Sequence, residues 1–191
     1  MLAILFAIPL LVPYCLASVK TIIDADVTRW SEQQKLSGPF LLRLLHLFGN
    51  KVFRTIYYHR LKCGSLSGEI VGRLCSLLYR PVNTLSIHTQ DIGPGLFIQH
   101  GTCSIIAART IGANCWINQQ VTIGFTNDND CPILGDNVKV GCGAKILGNV
   151  VVGDNVLVGA NAVVVKDVPS DCTVVGVPAR IVRRNGARVK E

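Results

Sequence analysis

The chain has 191 residues, 49% of them hydrophobic but only 6% aromatic, so its core must be aliphatic and made of small side chains. Residues 1–84 carry ten Lys/Arg against four Asp/Glu and residues 85–191 nine against eight, which puts +6 of the formal +7 in the first part. No Lys/Arg-rich run or aromatic platform accompanies that surplus, which argues against nucleic acid as a partner, and eight cysteines without a C-x-x-C pair argue against a zinc ribbon or disulfide scaffold and for a reducing, cytoplasmic setting.

Residues 1–19, MLAILFAIPLLVPYCLASV, hold no charge, and Pro9 and Pro13 interrupt an apolar run barely long enough to span a bilayer. A signal peptide would open on a positive stretch, which is missing, although the small residues Ala17 and Ser18 do follow the run. The first reading is a buried or oligomer-facing helix. A peripheral membrane contact, helped by the basic residues beyond, is the second. Ile22, Ile23, Val27 and Trp30 then recur at helical spacing, with Asp24 and Asp26 near the start. Residues 39–62 and 68–80 also read as helices, divided at Gly49-Asn50 and Gly64-Ser65 and stopped by Pro81. A helical N-terminal segment, residues 1–84, is expected.

From about residue 85 the period changes to six. Leu134, Val140, Ile146, Val152, Val158 and Val164 are six apart without slippage, and four residues after the first five stand Val138, Ala144, Val150, Val156 and Ala162. The same step joins Ile105, Ile111, Ile117 and Ile123, and Ile92 to Ile98, with one extra residue between 98 and 105 and an irregular break between 123 and 134. Neither a helix nor a lone strand gives this period. A short strand and a turn do, and three such faces close one coil of about eighteen residues whose inward aliphatics stack on the next coil. Glycines 135, 141, 153 and 159, just after inward residues, are expected to ease the corners where positive φ is needed. The loop FTNDNDCP (125–132) interrupts the hexads where a binding loop belongs, or where a simple surface turn would do.

The segments IGPGLFIQH (92–100), VTIG (121–124), VGCGAKILGNVVVGDNVLVGANAVVVKDVP (140–169) and GVPARIV (176–182) together resemble the hexapeptide-repeat acyltransferases, nearest to the serine acetyltransferase branch and its sugar-modifying relatives. The resemblance implies a mainly β fold, a left-handed parallel β-helix over residues 85–191 behind the small helical part, using acetyl-CoA as co-substrate and no metal. It also implies a homotrimer, or a multiple of three, with active sites between subunits.

By that resemblance His100 is the catalytic base, taking the proton of a hydroxyl as its oxygen attacks the thioester. Gly124 is the candidate backbone donor to the developing oxyanion. In the family an aspartate orients the histidine. Ser86 stands at the best match here, and Asp91 is the nearby carboxylate, as readily a solvated turn residue as an orienting one. Gly143, Ala144, Ala160 and Lys166 match positions lining the donor groove, and Arg180 of GVPAR lies toward the nucleotide phosphates. On the acceptor side Gln99, Asp130 and Cys131 stand where the family has an acidic residue and an Arg-His pair for the zwitterion of serine. That substitution makes a saccharide hydroxyl the expected acceptor, and free L-serine the alternative. A cysteine acyl-enzyme through Cys103 or Cys131, and a non-catalytic scaffold, are further readings. The metal-dependent β-helix carbonic anhydrases are set aside, since His88 and His100 are too few ligands.

Overall fold

The computed structural model describes residues 8–127 and 130–189. Two compact units make up the chain, residues 1–83 and 84–191. In the first, a short 3₁₀ turn (Ile8–Leu10) leads into α1 (Leu11–Leu16), α2 (Lys20–Gln33), α3 (Phe40–Leu47), α4 (Lys51–Gly64) and α5 (Leu66–Leu78). Both glycine-marked breaks are helix starts. The Asn50 side chain accepts from the Val52 and Phe53 N–H groups at 2.9 and 3.3 Å, and the Ser65 hydroxyl accepts from Gly68 N–H at 3.1 Å. These satisfy donors that a helix N-terminus leaves open.

The few aromatics of the chain concentrate in this unit. Trp30 meets Phe53 edge-on at 5.4 Å, and Phe48 meets Tyr57 at 4.9 Å. Burial pushes the Tyr57 phenol up, and its hydroxyl donates to the Leu10 carbonyl at 2.9 Å. Helix α5 packs by Gly68 and Gly72 onto α4, where a Cβ on Gly68 would come within 2.9 Å of the Leu61 carbonyl. Its other face leaves Leu66, Ile70, Leu74, Leu77 and Leu78 exposed. No helix among the described residues is long and apolar enough to cross a membrane. The sequence reading of residues 1–7 lies outside the described residues.

The second unit is a parallel β-helix. Its first face is built from β1 (Leu85–Ile87), β4 (Ser104–Ile106), β7 (Thr122–Gly124), β10 (Lys145–Leu147) and β13 (Val163–Val164). The second face holds β2 (Asp91–Ile92), β5 (Thr110–Ile111), β8 (Ile133–Leu134) and β11 (Val151–Val152). On the third lie β3 (Phe97–Ile98), β6 (Trp116–Ile117), β9 (Lys139–Val140), β12 (Leu157–Val158) and β14 (Cys172–Val175), extended by antiparallel β15 (Arg180–Arg184) and β16 (Ala187–Arg188). Inward residues stack in register: Ile106, Ile123, Ile146 and Val164 on one face, Ile98, Ile117, Val140, Val158 and Val174 on another. All nine are buried. Each coil therefore hides its aliphatics only because the next coil is present.

The corners differ from the sequence expectation. Positive φ is carried two residues beyond Gly135 and Gly153, by Asn137 and Asn155, and by Asn114 and Asp171 on the same corner, at +56° to +58°. Asn and Asp tolerate this region because their short polar side chains bond locally. Here they bond to each other: Asn137 Nδ2 donates to Asn155 Oδ1 at 3.1 Å, and Asn155 Nδ2 to Asp171 Oδ1 at 3.0 Å. The glycines serve close approach instead. A Cβ on Gly141 would sit 2.7 Å from the Ala160 nitrogen, and one on Gly153 2.6 Å from that of Ser170.

Candidate active site

His100 sits where the chain passes from the third face to the first. The Gly101 N–H donates to the Gln99 carbonyl at 2.8 Å, which closes a three-residue γ-turn with His100 at its centre and φ +64°. A γ-turn with positive φ at a non-glycine residue is rare and strained. The inward residue of this coil is Ile106 and not the expected Ile105, which is 49% exposed. The corner from Ile98 to Ile106 therefore holds two residues more than the step of six that the other coils use, and the γ-turn takes up the excess. The strain holds the imidazole out of the prism, exposed. Among the described residues none hydrogen-bonds its ring.

Directly before His100 begins a groove along the outer side of the third face. Gln99, Trp116, Asn118, Lys139, Val140, Gly141, Leu157, Val158, Gly159 and Ala160 enclose about 360 Å³. Two outward columns define it. Trp116, Lys139 and Leu157 are in pairing register and form one wall. Gln99, Asn118, Gly141 and Gly159 form the other column, each backbone N–H reaching the carbonyl before its neighbour on the next coil at 2.8–3.0 Å. The lower half of that column has no side chains, so the groove floor there is bare backbone. Such a channel suits an extended, mostly apolar chain with a few amide groups.

The other residues singled out from the sequence scatter. Gln99 and Ala160 line the groove. Gly143 is on the adjoining corner with φ +72°, its carbonyl accepting from Lys145 Nζ at 2.9 Å and its N–H donating to the Gln119 carbonyl at 3.0 Å. Ala144 is wholly buried. As the second inward residue of its hexad it faces the core and cannot touch a ligand in the groove, a correction to its expected donor-side role. Lys166 and Arg180 are exposed, the first just beyond β13 and the second opening β15.

Asp91 and Gly124 do not join His100. Asp91 opens β2 beside Thr110, exposed, a face away from the His100 corner, and no hydrogen bond links it to His100. Gly124 is buried at the end of β7, paired with Leu147, its carbonyl accepting from Gly148 at 3.0 Å. Its place inside a sheet ladder at the root of the 125–132 loop leaves it outside the groove in this chain. Sequence spacing located both residues along the chain but not around the prism.

Asp130 is committed to its own loop. It accepts from the Thr126 N–H at 2.7 Å, the Asn127 N–H at 3.1 Å, the Asn127 side chain at 3.1 Å and the Thr126 hydroxyl. The Thr126 hydroxyl, with those N–H groups, holds its carboxyl below the usual range. Cys131 donates to the Ala107 carbonyl at 3.1 Å. Trp116, Asn118 and Lys139 are groove residues that the hexad reading passed over. Their signal was available: large or polar side chains at the outward positions of consecutive coils on one face. Among the described residues no three His, Cys, Asp or Glu side chains are grouped to hold a metal ion.

Comparison with known proteins accords with this geometry. Residues 131–166 match the family described as bacterial transferase hexapeptide (six repeats). A serine acetyltransferase from Synechocystis sp. is 48% identical over 171 residues, covering 87% of this chain and 64% of that protein. Among solved structures, Neisseria gonorrhoeae serine acetyltransferase in complex with serine superposes with a TM-score of 0.64 at 30% identity, covering 86% of this chain and 69% of that one. Brucella abortus serine acetyltransferase in complex with coenzyme A gives 0.63 at 28% identity, covering 86% and 68%. This chain spans 57% to 65% of the length of the curated relatives it matches first. None of these relatives is a saccharide acetyltransferase, so the comparisons favour the serine alternative over the sugar reading drawn from Gln99, Asp130 and Cys131.

Proposed function

Because this chain belongs to the hexapeptide-repeat acyltransferases of the serine acetyltransferase family, we propose that it transfers the acetyl group of acetyl-CoA to a hydroxyl, with L-serine the leading acceptor. One observation carries the reading: a groove with a bare-backbone floor runs along the third face and stops beside a histidine held outward by a strained turn. Acetyl-CoA would lie with its pantetheine arm over Gly141 and Gly159 and beside Ala160, and its phosphates toward Lys166 and Arg180. His100 takes the hydroxyl proton as the oxygen attacks the thioester carbon. The C–O bond forms, the C–S bond breaks, and the proton passes to the departing sulfur to give the free thiol of CoA. A saccharide acceptor is the second reading, favoured by one feature. Asp130 spends its carboxylate on its own loop, and neither it nor Cys131 offers a cation to a substrate carboxylate.

The proposed assembly is a homotrimer with sites completed between subunits, the exposed leucines of α5 contributing to contacts between copies. The helical segment, with its surplus of +6, would bring the enzyme to an anionic membrane surface only peripherally, from a cytoplasmic location. Thiol release from acetyl-CoA, measured against L-serine and a panel of saccharides, tests the function. The expected result is the highest kcat/KM with L-serine. A saccharide that outcompetes serine would replace it as the acceptor, and no release with any acceptor would refute the proposal.

A further inference from the structure

The outward column of the groove changes character halfway. Gly159 and Gly141 leave the floor bare, and Asn118 and Gln99 then close it off immediately before the His100 corner. An extended arm lying over the glycines must end against the Asn118 amide. That amide has a fixed orientation. The Trp116 indole nitrogen donates to Asn118 Oδ1 at 2.7 Å. An indole N–H can only donate, so the atom facing it is the amide oxygen and not the nitrogen. Trp116 itself is held by Phe97, whose ring it meets edge-on at 4.7 Å. Among the described residues nothing accepts from the Asn118 NH₂ group, and the residue is half-buried in the groove wall.

Resting on the acetyl-transfer reading, the geometry points to Asn118 as the hydrogen-bond donor to the acyl carbonyl of the bound thioester, with Trp116 as its positioning residue. The attacking hydroxyl gives its proton to His100 as the C–O bond forms, the carbonyl oxygen gains negative charge, and the C–S bond then breaks with return of the proton to sulfur. A donor whose orientation is fixed before the substrate arrives, as the Trp116 bond fixes this amide, is worth more in the transition state than in the ground state. The pair replaces the role expected of Gly124, whose place in the sheet ladder keeps it away from the groove.

The test uses the full chain. Asn118→Asp keeps the shape and the contact with Trp116 but removes both amide donors. It should lower kcat about 10- to 100-fold while the KM for acetyl-CoA stays within about two-fold. Trp116→Phe keeps the packing on Phe97 but frees the amide to rotate, and should lower kcat in the same direction by less. A second readout does not depend on the acceptor. The infrared carbonyl stretch of ¹³C-acetyl-CoA bound to wild type should lie at lower wavenumber than in Asn118→Asp. Wild-type kcat in Asn118→Asp, a loss confined to the KM for acetyl-CoA, or coincident carbonyl bands would each overturn the assignment. His100→Ala in the same assay separates the two ideas. Lost turnover with a retained carbonyl shift supports both, and a carbonyl shift that disappears with the imidazole overturns the assignment to Asn118.

Discussion

The Asp26 carboxylate accepts two hydrogen bonds from the Arg60 guanidinium, at 2.9 and 3.2 Å, with both side chains almost wholly out of water. They tie α2 to α4 across 34 residues of sequence. A buried pair of this kind is dangerous to break because the survivor keeps its charge without a partner. Asp26→Ala should cost the protein about 3–5 kcal/mol in urea unfolding. Replacing both residues together, as Asp26→Leu with Arg60→Met, should cost markedly less than the sum of the single changes.

Loss of the imidazole should be a loss of chemistry and not of structure. His100 is exposed, so His100→Ala should keep the far-ultraviolet circular dichroism of wild type. Its turnover of acetyl-CoA should drop by at least about 100-fold, the low end for removing a general base. Turnover within a few-fold of wild type would remove His100 from the reaction.

The coils give a sharp contrast between neighbouring apolar residues. Ile146 is fully buried between Ile123 and Val164, whereas Val165 is 46% exposed. Ile146→Ala should destabilise by roughly 2–5 kcal/mol, since neighbouring coils cannot collapse into the gap. Val165→Ala should stay within about 0.5 kcal/mol. Denaturant midpoints of the two variants decide it, and equal midpoints would mean the hexads do not form a stacked core.

Burial pushes the Cys115 thiol up to about 11 from its ordinary value of 9.0, while its Sγ donates to the Gly135 carbonyl at 3.2 Å. The folded chain thus holds its proton longer than the unfolded chain does. The stability this gives is complete below pH 9 and is lost as the pH climbs to about 11. Cys115→Ala should flatten part of the fall in unfolding midpoint across that window. In native protein at pH 8, thiol reagents should label the exposed Cys15, Cys63 and Cys103 before Cys115.

The core of the β-helix was legible because its signal is one-dimensional. A step of six in Leu134, Val140, Ile146 and their successors needs no knowledge of distant contacts, and each of these residues is inward and buried. The helix starts at Asn50 and Ser65 were legible for a similar reason, since a cap is a local bond. What could not be read was position around the prism. Asp91 is near His100 in number and Gly124 lies one coil further on, but neither is on the face that carries the groove, and Ala144, counted as small and inward, was for that very reason unable to line it. The Trp116–Asn118 bond was hidden too. It joins two outward residues, whose positions recur from coil to coil but whose types do not, so the positions were readable and the bond between them was not.

The antiparallel turn of β15 and β16 onto β14 has a consequence for the behaviour of the protein at high concentration. Every other strand of the third face runs parallel and ends in a neighbour, so the last one would offer a free row of amides and carbonyls to any passing strand. Instead the edge is occupied by a hairpin that sets Arg183 directly opposite Arg188, with Arg180 and Arg184 beside them. Like charges this close weaken the hairpin itself, yet they also repel an identical edge approaching end-on. A solenoid is a template for its own continuation, and on this face the arginines oppose the addition of a second copy.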